Sequence, residues 1–375
     1  MKAIEVHTNL AELRTKRGLG AQQLAAKVGI SRQTVYAIEA GTYVPNTAVS
    51  LKLALALETT VEEIFQIANE DQVPDEIAEA TVLGYSESMA PGQPMRLCSV
   101  DGHIVAVAPE SGGLGLPPAD AVLLEVPRNG KRNAKIRILS DKWKKSPRIL
   151  LAGCDPSVSL LAQSLQTQGC ELVVAYENSS RSLEFLHEGL VHVAGTHLVD
   201  KASGKTDLSP ITKMFGRTTV AVFSYAIWEE GLVIARGNPK RIAGIADLAR
   251  KDVRFTNREP GAGCRRLLDD LLLELGIAAK HVKGYERVIA GHFPAARLVE
   301  NGEVDCCIST RAVARALALD FIPLAQKPYH LVIRRTKLSY PPIQALLETL
   351  GHASFRREVE VCTGYNMRTA GDRLV

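Results

Sequence analysis

At 375 residues the chain is too long for one ordinary domain and points to two or three. Its 46% apolar content is that of a globular protein, and no run of about 18 uninterrupted apolar residues supports a membrane span. A net charge of +4 is too mild to establish nucleic-acid binding, and seven cysteines without small-scaffold spacing fit reduced thiols in a cytoplasm.

The N-terminus, Met1-Lys2-Ala3-Ile4-Glu5, lacks a signal-peptide apolar core. The first predicted elements are two short helices within Gln22–Gly41, separated by a turn at Gly29, the second capped by Ser31. Leu24, Ala25, Val28, Ile30, Val35 and Ile38 recur at the spacing that buries one face of each helix. Arg32, Gln33, Thr34 and Tyr36 stay outside, a hydrogen-bonding row of the kind a helix-turn-helix presents to base edges in the major groove.

Residues 9–66 resemble the Cro/C1-type (XRE-family) helix-turn-helix regulators. The matching pieces are Leu10-x-x-Leu13-Arg14, Leu24-Ala25, Ser31-Arg32-Gln33-Thr34-Val35-Tyr36-x-Ile38-Glu39-x-Gly41, Pro45 before an apolar fourth helix, and Val61-Glu62-Glu63-Ile64-Phe65. The resemblance implies a homodimer reading double-stranded operator DNA, with Gln22, Ser31, Arg32, Gln33, Thr34, Tyr36, Thr42 and Tyr43 at the interface. One departure stands out. The family usually opens its second helix with Ser or Thr and then Gln, where this chain has Gly20-Ala21. Gly is a tolerable N-cap, but Ala21 supplies no side-chain amide, so weaker or altered contact from that helix is expected, with Gln22 taking part. A helical dimerisation bundle is the alternative, and the motif density over almost sixty residues speaks against it.

Glu70 to Glu79 is acidic, broken by Pro74, and reads as an exposed linker or a short helix. Strand-like runs follow at Met95–Val100 and Ile104–Ala108 around an Asp101-Gly102 turn, then at 121–126 and 134–139 around Asn129-Gly130. Residues 80–145 are therefore expected to form a small antiparallel β unit, a spacer or a dimerisation element. The basic run from Arg128 to Arg148, opposed by Asp141 alone, reads as a solvated linker face, with a supplementary phosphate contact as the sharper alternative.

From Arg148 apolar strands alternate with helix-like segments. Strands are expected at 149–153, 172–176, 191–196, 219–225, 232–235, 253–256, 304–308 and 331–333, and helices at 156–168, 180–188, 261–275, 311–319 and from Pro342. Ligands of such sheets collect at the carboxyl ends of strands. Those places hold Gly153-Cys154-Asp155-Pro156-Ser157, Glu177-Asn178-Ser179-Ser180-Arg181, Gly195-Thr196-His197, Asn257-Arg258-Glu259-Pro260-Gly261-Ala262-Gly263-Cys264-Arg265 and Ser309-Thr310-Arg311. Backbone N–H groups, hydroxyls and a guanidinium suit a small anion.

Residues 148–375 resemble the periplasmic-binding-protein-like domains of bacterial regulators, which are related to molybdate-binding proteins. The matching pieces include residues 152–156, 194–200, 231–239, 247–249, 253–258 and Gly364-Tyr365-Asn366. The resemblance implies two lobes closing on a small ligand about two crossover strands, placed near Leu232–Ala235 and Leu331–Ile333. The expected ligand set is Cys154, Asp155, Ser157, Asn178, Ser179, Ser180, Thr196, His197, Asn257, Arg258, Gly261, Ala262, Gly263, Cys264, Arg265 and Ser309. Relatives carry Gly-Ser-Gly-Thr-Arg where this chain has Gly261-Ala262-Gly263-Cys264-Arg265, so two hydroxyl donors are missing.

Cys264, at a helix N-terminus beside Arg265 and Arg266, is expected to have a lowered thiol pKa. Facing Cys154, it would give a redox or soft-metal response; two small buried residues are the plainer reading. His197 is a ligand contact or a loop-fixing hydrogen-bonder, and Cys306-Cys307 is core. His281, His292 and His330 show no metal spacing, and no catalytic triad spacing supports an enzyme with Cys154 or Cys264 and His197. The sequence thus predicts a multidomain protein. Residues 1–69 form an all-α helix-turn-helix domain, 70–147 a linker and small antiparallel β unit, and 148–375 an α/β two-lobed periplasmic-binding-protein-like (type 2) domain. The expected activity is cytoplasmic, ligand-responsive transcription regulation without catalysis, with no required cofactor and a molybdate-like oxyanion or related metabolite as ligand; the alternatives are the thiol or soft-metal response and a two-lobed domain that serves only in assembly.

Overall fold

The computed structural model describes residues 6–67, 76–84, 89–109, 116–127, 131–197, 207–216 and 218–375. The expected Asn129-Gly130 turn, Arg128, residues 70–75 of the acidic stretch and Leu198–Asp200 lie outside the described residues. The chain divides into two compact units, residues 1–73 and 74–375.

In the first unit β1 (Val6–Thr8) precedes five helices: α1 (Leu10–Lys16), α2 (Ala21–Val28), α3 (Arg32–Glu39), α4 (Thr47–Leu57) and α5 (Val61–Ile64). Then β2 (Phe65–Ile67) returns antiparallel to β1. Ser31 caps α3 by accepting from the Thr34 N–H at 3.0 Å, and Gly29 ends α2 at φ 77°, a left-handed position that glycine adopts without strain. Leu10, Leu24, Val28, Val35, Ile38, Leu53 and Leu57 close one core. Arg14 fastens α1 to the end of α3, pairing with Glu39 at 2.6 Å and donating to the Leu19 carbonyl at 2.8 Å.

The second unit opens with β3 (Ile77–Leu83), β4 (Pro94–Val100), β5 (His103–Val107), β6 (Ala121–Leu123) and β7 (Asn133–Ile138), followed by the short α6 (Lys142–Lys145). The strands close a barrel in the order β3-β5-β4-β6-β7. Every pairing is antiparallel except β3–β5, the parallel pair. Strand alternation sorts the side chains. Val82, Leu97, Ala106 and Ile136 fill the barrel, while Leu83, Val105 and Val107 face outward into a core shared with Leu150, Val173 and Leu183. Part of the basic run is ion-paired: Arg132 with Glu188, Lys135 with Glu125, Lys144 with Glu76 and Asp141, and Arg148 with Asp120 and Glu171.

The two-lobed part contains, in chain order, β8 (Arg148–Gly153), α7 (Val158–Thr167), β9 (Glu171–Tyr176), α8 (Ser179–His187), β10 (Val193–Thr196), α9 (Ser209–Phe215), β11 (Val220–Ile234) and β12 (Phe255–Arg258). It continues with α10 (Gly263–Glu274), β13 (Val288–Ile289), α11 (His292–Glu300), β14 (Cys306–Thr310), α12 (Arg311–Ala316), β15 (Asp320–Arg334), α13 (Pro341–Gly351) and α14 (Ala353–Thr363). Its eight strands run β13-β12-β14-β11-β15-β10-β8-β9. Strands β9, β8 and β10 build the first lobe, and β13, β12 and β14 the second. The 15-residue β11 and β15 pair antiparallel through both. The crossovers are thus single long strands rather than the short pieces expected. Pro323 and Pro328 sit inside β15, opposite Gly231 and Ile227. Among the described residues no helix is long and apolar enough to cross a membrane.

Candidate functional site

In the N-terminal unit the row expected to face DNA is on the surface. Gln22, Arg32, Gln33, Thr42 and Tyr43 are exposed, and Tyr36 is 45% exposed. Arg32 donates to the Tyr36 hydroxyl at 2.9 Å, its guanidinium 5.3 Å from the ring centroid, so the two move as one pair. Ser31 and Thr34 are engaged with each other at 2.8 Å in the cap, and Thr42 donates to the Ala37 carbonyl. Gln23 accepts from the Gly20 N–H at 2.8 Å, the return half of a capping box whose other half Gly20, lacking a side chain, does not supply.

In the two-lobed part, Cys154, Asn178, His197, Arg258, Ala262, Gly263 and Cys264 converge on one crevice between the lobes, joined by His292, which the sequence left unassigned. The crevice holds no water-sized void. A Cβ on Gly263 would fall 1.9 Å from His197 Cε1, so the first turn of α10 lies directly against the imidazole from the other lobe. Ser179, Ser180 and Gly261 border an adjoining recess with Arg266 and Lys327. The Ser179 hydroxyl accepts from the His197 N–H at 3.1 Å, while Asn178 caps α8 through the Arg181 N–H.

The remaining expected residues lie apart from the crevice. Asp155 and Ser157 turn into an aromatic base, where Ser157 meets the Tyr225 hydroxyl at 2.7 Å and Tyr365 donates to Asp155. Burial pushes the Asp155 carboxyl up to about 6, against opposing hydrogen bonds from Ser157 and Tyr365. Thr196 is buried beside His197. Asn257 donates to the Tyr285 carbonyl, and Arg265 lies over the Tyr285 ring at 5.1 Å, away from the crevice. Ser309 meets His292 Nδ1 at 3.1 Å.

Arg258 is 3% exposed and pairs with Glu259 through Nε and Nη2, at 2.8 and 2.9 Å. Burial works against its charge, yet Glu259 holds its pKa above the ordinary value. Among the described residues its Nη1 is buried without a partner. Arg258 also lines a cavity of about 310 Å³ continuing outward between Pro156, Tyr176 and Glu177 of the first lobe, Phe293 and Pro294 of the second, and Leu83 and Val107 of the barrel.

Behind the crevice Glu230, fully buried on β11, pairs with Lys327 of β15 at 2.9 Å. Burial opposes its charge, and Lys327 holds it below the usual carboxylate range. Trp228, also fully buried on β11, packs at a tilt against Tyr329 and His197, with ring centroids 4.9 and 5.1 Å away. Gly153 and Gly195 leave room for Tyr329, since a Cβ on either would fall within 2.5 Å of its hydroxyl.

The expectation of a lowered Cys264 pKa is corrected. The thiol is 2% exposed and faces Glu230 Oε1 at 3.6 Å and His292 Nδ1 at 4.0 Å. Burial, reinforced by Glu230, raises its pKa well above the ordinary value. Burial raises Cys154 as well. His197 is pushed down to about 4, chiefly by burial, and the imidazole touching Cys264 is that of His292. Thiolate chemistry therefore finds no support here.

Residues 10–64 match the helix-turn-helix family, and residues 162–351, about half of the chain, match the PBP superfamily domain. The chain belongs to the PBP superfamily, with a helix-turn-helix domain at its N-terminus. The chain is similar to the uncharacterized protein YvgK of Bacillus subtilis, 29% identical over 226 residues that cover 60% of this chain and 73% of YvgK. The HTH-type transcriptional regulator YgzD, also of Bacillus subtilis and uncharacterized, is 40% identical over 60 residues, covering 16% of this chain and 91% of YgzD. PEB3 of Campylobacter jejuni superposes with a TM-score of 0.41 at 14% identity, covering 58% of this chain and 99% of PEB3. The chain is thus a helix-turn-helix transcription regulator carrying a PBP-like ligand-binding domain.

Proposed function

We propose that this regulator acts in the cytoplasm as a homodimer on operator DNA, and that a small anion bound between the two lobes sets its operator affinity. The observation that carries the ligand reading is Arg258, whose Nη1 is buried without a partner at the head of the interlobe cavity. A buried donor left unpaired costs about 1–3 kcal/mol, more for a charged group, and an arriving acceptor removes that cost. The backbone of the Gly261–Gly263 turn borders the same crevice. Closure about β11 and β15 is the two-state element, and a ligand favouring one lobe arrangement changes operator affinity by its differential affinity for the two. The reading assigns no catalytic step.

Molybdate and related oxyanions are the class that the family resemblance brings. Ala262 and Cys264 offer them no hydroxyl, so backbone N–H groups and Arg258 would carry the contact. A thermal-shift screen of the full chain against molybdate, tungstate, sulfate, phosphate and small carboxylates tests the reading. Ligand at a hundredfold excess over its Kd stabilises by about 2.7 kcal/mol, roughly 4 °C in Tm for a unit of this size. Arg258→Gln should abolish the shift. No shift with any anion would overturn the reading.

A further inference from the structure

We propose that the β-barrel forms a third wall of the ligand site, and that the ligand is a small organic monoacid whose carboxylate meets Arg258 and whose apolar body rests against the barrel. The proposal rests on the interlobe cleft being the ligand site.

Three observations carry it. The first is where the cavity lies. Its walls come from both lobes and also from the ends of β3 and β5, where Leu83 and Val107 pair across the parallel ladder and Ala108 follows. Those barrel residues lie outside the stretch matched to the PBP superfamily, residues 162–351. The barrel is also fixed to the first lobe. Its outward face shares a core with Leu150, Val173 and Leu183, and Arg96 and Arg132 reach Glu171 and Glu188. The wall opposite the barrel is Phe293 and Pro294 of the second lobe, the lobe that moves when β11 and β15 flex. A ligand there is gripped between the barrel and the closing lobe.

The second observation is size. The deep crevice, where an anion would sit on the first turn of α10, is occupied by the His197 ring and holds no water-sized void. The open space is the outer cavity of about 310 Å³. That falls in the range of small-molecule pockets, about 300–1,000 Å³, whereas a water's share of liquid volume is about 30 Å³ and a tetrahedral oxyanion is only a few waters in size. A bare oxyanion leaves most of the cavity, and its apolar walls, without contact.

The third is charge. Arg258 already pairs with Glu259, Glu177 also lines the cavity, and Glu230 lies behind the crevice. Burial raises the Glu177 pKa, partly countered by Arg181 and by a hydrogen bond from the Gly84 backbone of the barrel. One free guanidinium edge among these carboxylates suits a single negative charge better than a dianion such as molybdate. Apolar area removed from water along Leu83, Val107 and Phe293 would supply the remaining affinity.

Calorimetric titration of the full chain with benzoate and isovalerate, beside molybdate, sulfate and phosphate, tests the proposal, together with Ala108→Trp, which fills the barrel side of the cavity. The expected result is binding of the carboxylates at least tenfold tighter than of any inorganic oxyanion, with the Ala108→Trp variant weakening the carboxylates at least tenfold. Phe293→Ala, on the opposite wall, provides the same readout should Ala108→Trp fail to fold. Equal or tighter binding of the oxyanions, or carboxylate affinity unchanged by both wall variants, overturns the barrel proposal and leaves the cleft as an anion site. Absence of binding by every anion overturns both.

Discussion

Gly263→Ala probes the contact that joins the two lobes. At the first residue of a helix this change ordinarily helps, since alanine surpasses glycine by up to about 1 kcal/mol in a helix and restricts the unfolded chain. Here the new Cβ would lie 1.9 Å from His197 Cε1 and 2.7 Å from Nδ1. The imidazole would have to retreat by about 1.5 Å to reach ordinary contact. It is hemmed in by Trp228 at 5.1 Å and Tyr329 at 6.2 Å between ring centroids, and the backbone N–H of His197 is tied to the Ser179 hydroxyl. Overpacking of this kind costs about 1–3 kcal/mol, a Tm loss of roughly 2–5 °C for a unit this large. In a His197→Ala background the obstacle is gone, and the same change should be neutral or mildly stabilising. Thermal unfolding of the four full-length chains of the cycle should therefore give a coupling of about 1–3 kcal/mol between the two positions. Additive effects, or a Gly263→Ala chain as stable as the parent, would refute the closed arrangement.

Gln33→Ala should weaken operator binding by about 1–3 kcal/mol while leaving non-specific DNA binding nearly intact, because Gln33 is exposed on α3 and offers a bidentate amide. Equal losses on both, measured by fluorescence anisotropy, would remove it as a base reader. Arg14→Ala should cost about 2–3 kcal/mol locally by severing Glu39 and the Leu19 carbonyl, seen as faster hydrogen exchange in α1 and α3; unchanged exchange would contradict the bracing role. Acidification should destabilise the second unit. Burial pushes His192, His197 and His330 down to about 4, so their contribution is complete above the unfolded value near 6.5 and is lost as pH falls from there towards 4. Asp155, raised to about 6, runs the other way in the same window, and three histidines outweigh it. Urea unfolding at stepped pH should show stability falling from pH 6.5 to 4, less steeply for His197→Asn, and a flat profile would count against buried neutral histidines.

The helix-turn-helix was legible because each of its signals is local: a 3.6-residue apolar period, Ser31 as a cap and glycine at a left-handed φ. The βα alternation likewise located the strand ends that carry Cys154, Asn178, His197 and Arg258. The crossover strands were legible only in part. The expected pieces, Leu232–Ala235 and Leu331–Ile333, cover only one end of each strand, and β15 carries Pro323 and Pro328, a residue type rarely found inside a sheet. In the fold Glu230 is neutralised by Lys327, and the backbone of Ile322 comes within 2.1 Å of where a Cβ on Gly231 would lie. Cys264 was misjudged for a related reason. Neighbours in sequence point about 100° apart around a helix, so Arg265 lies over Tyr285 while the thiol turns inward to Glu230. Glu230, Lys327, Trp228 and His292 come together only in three dimensions, and no local spacing marks them.

The most direct test of ligand-gated DNA reading is the operator affinity of the full chain, on a duplex selected from random sequences, with and without saturating concentrations of the anion that gives the largest thermal shift. The account predicts at least a fivefold change in Kd, about 1 kcal/mol of coupling, absent in Arg258→Gln. An identical Kd across saturating ligand would contradict it.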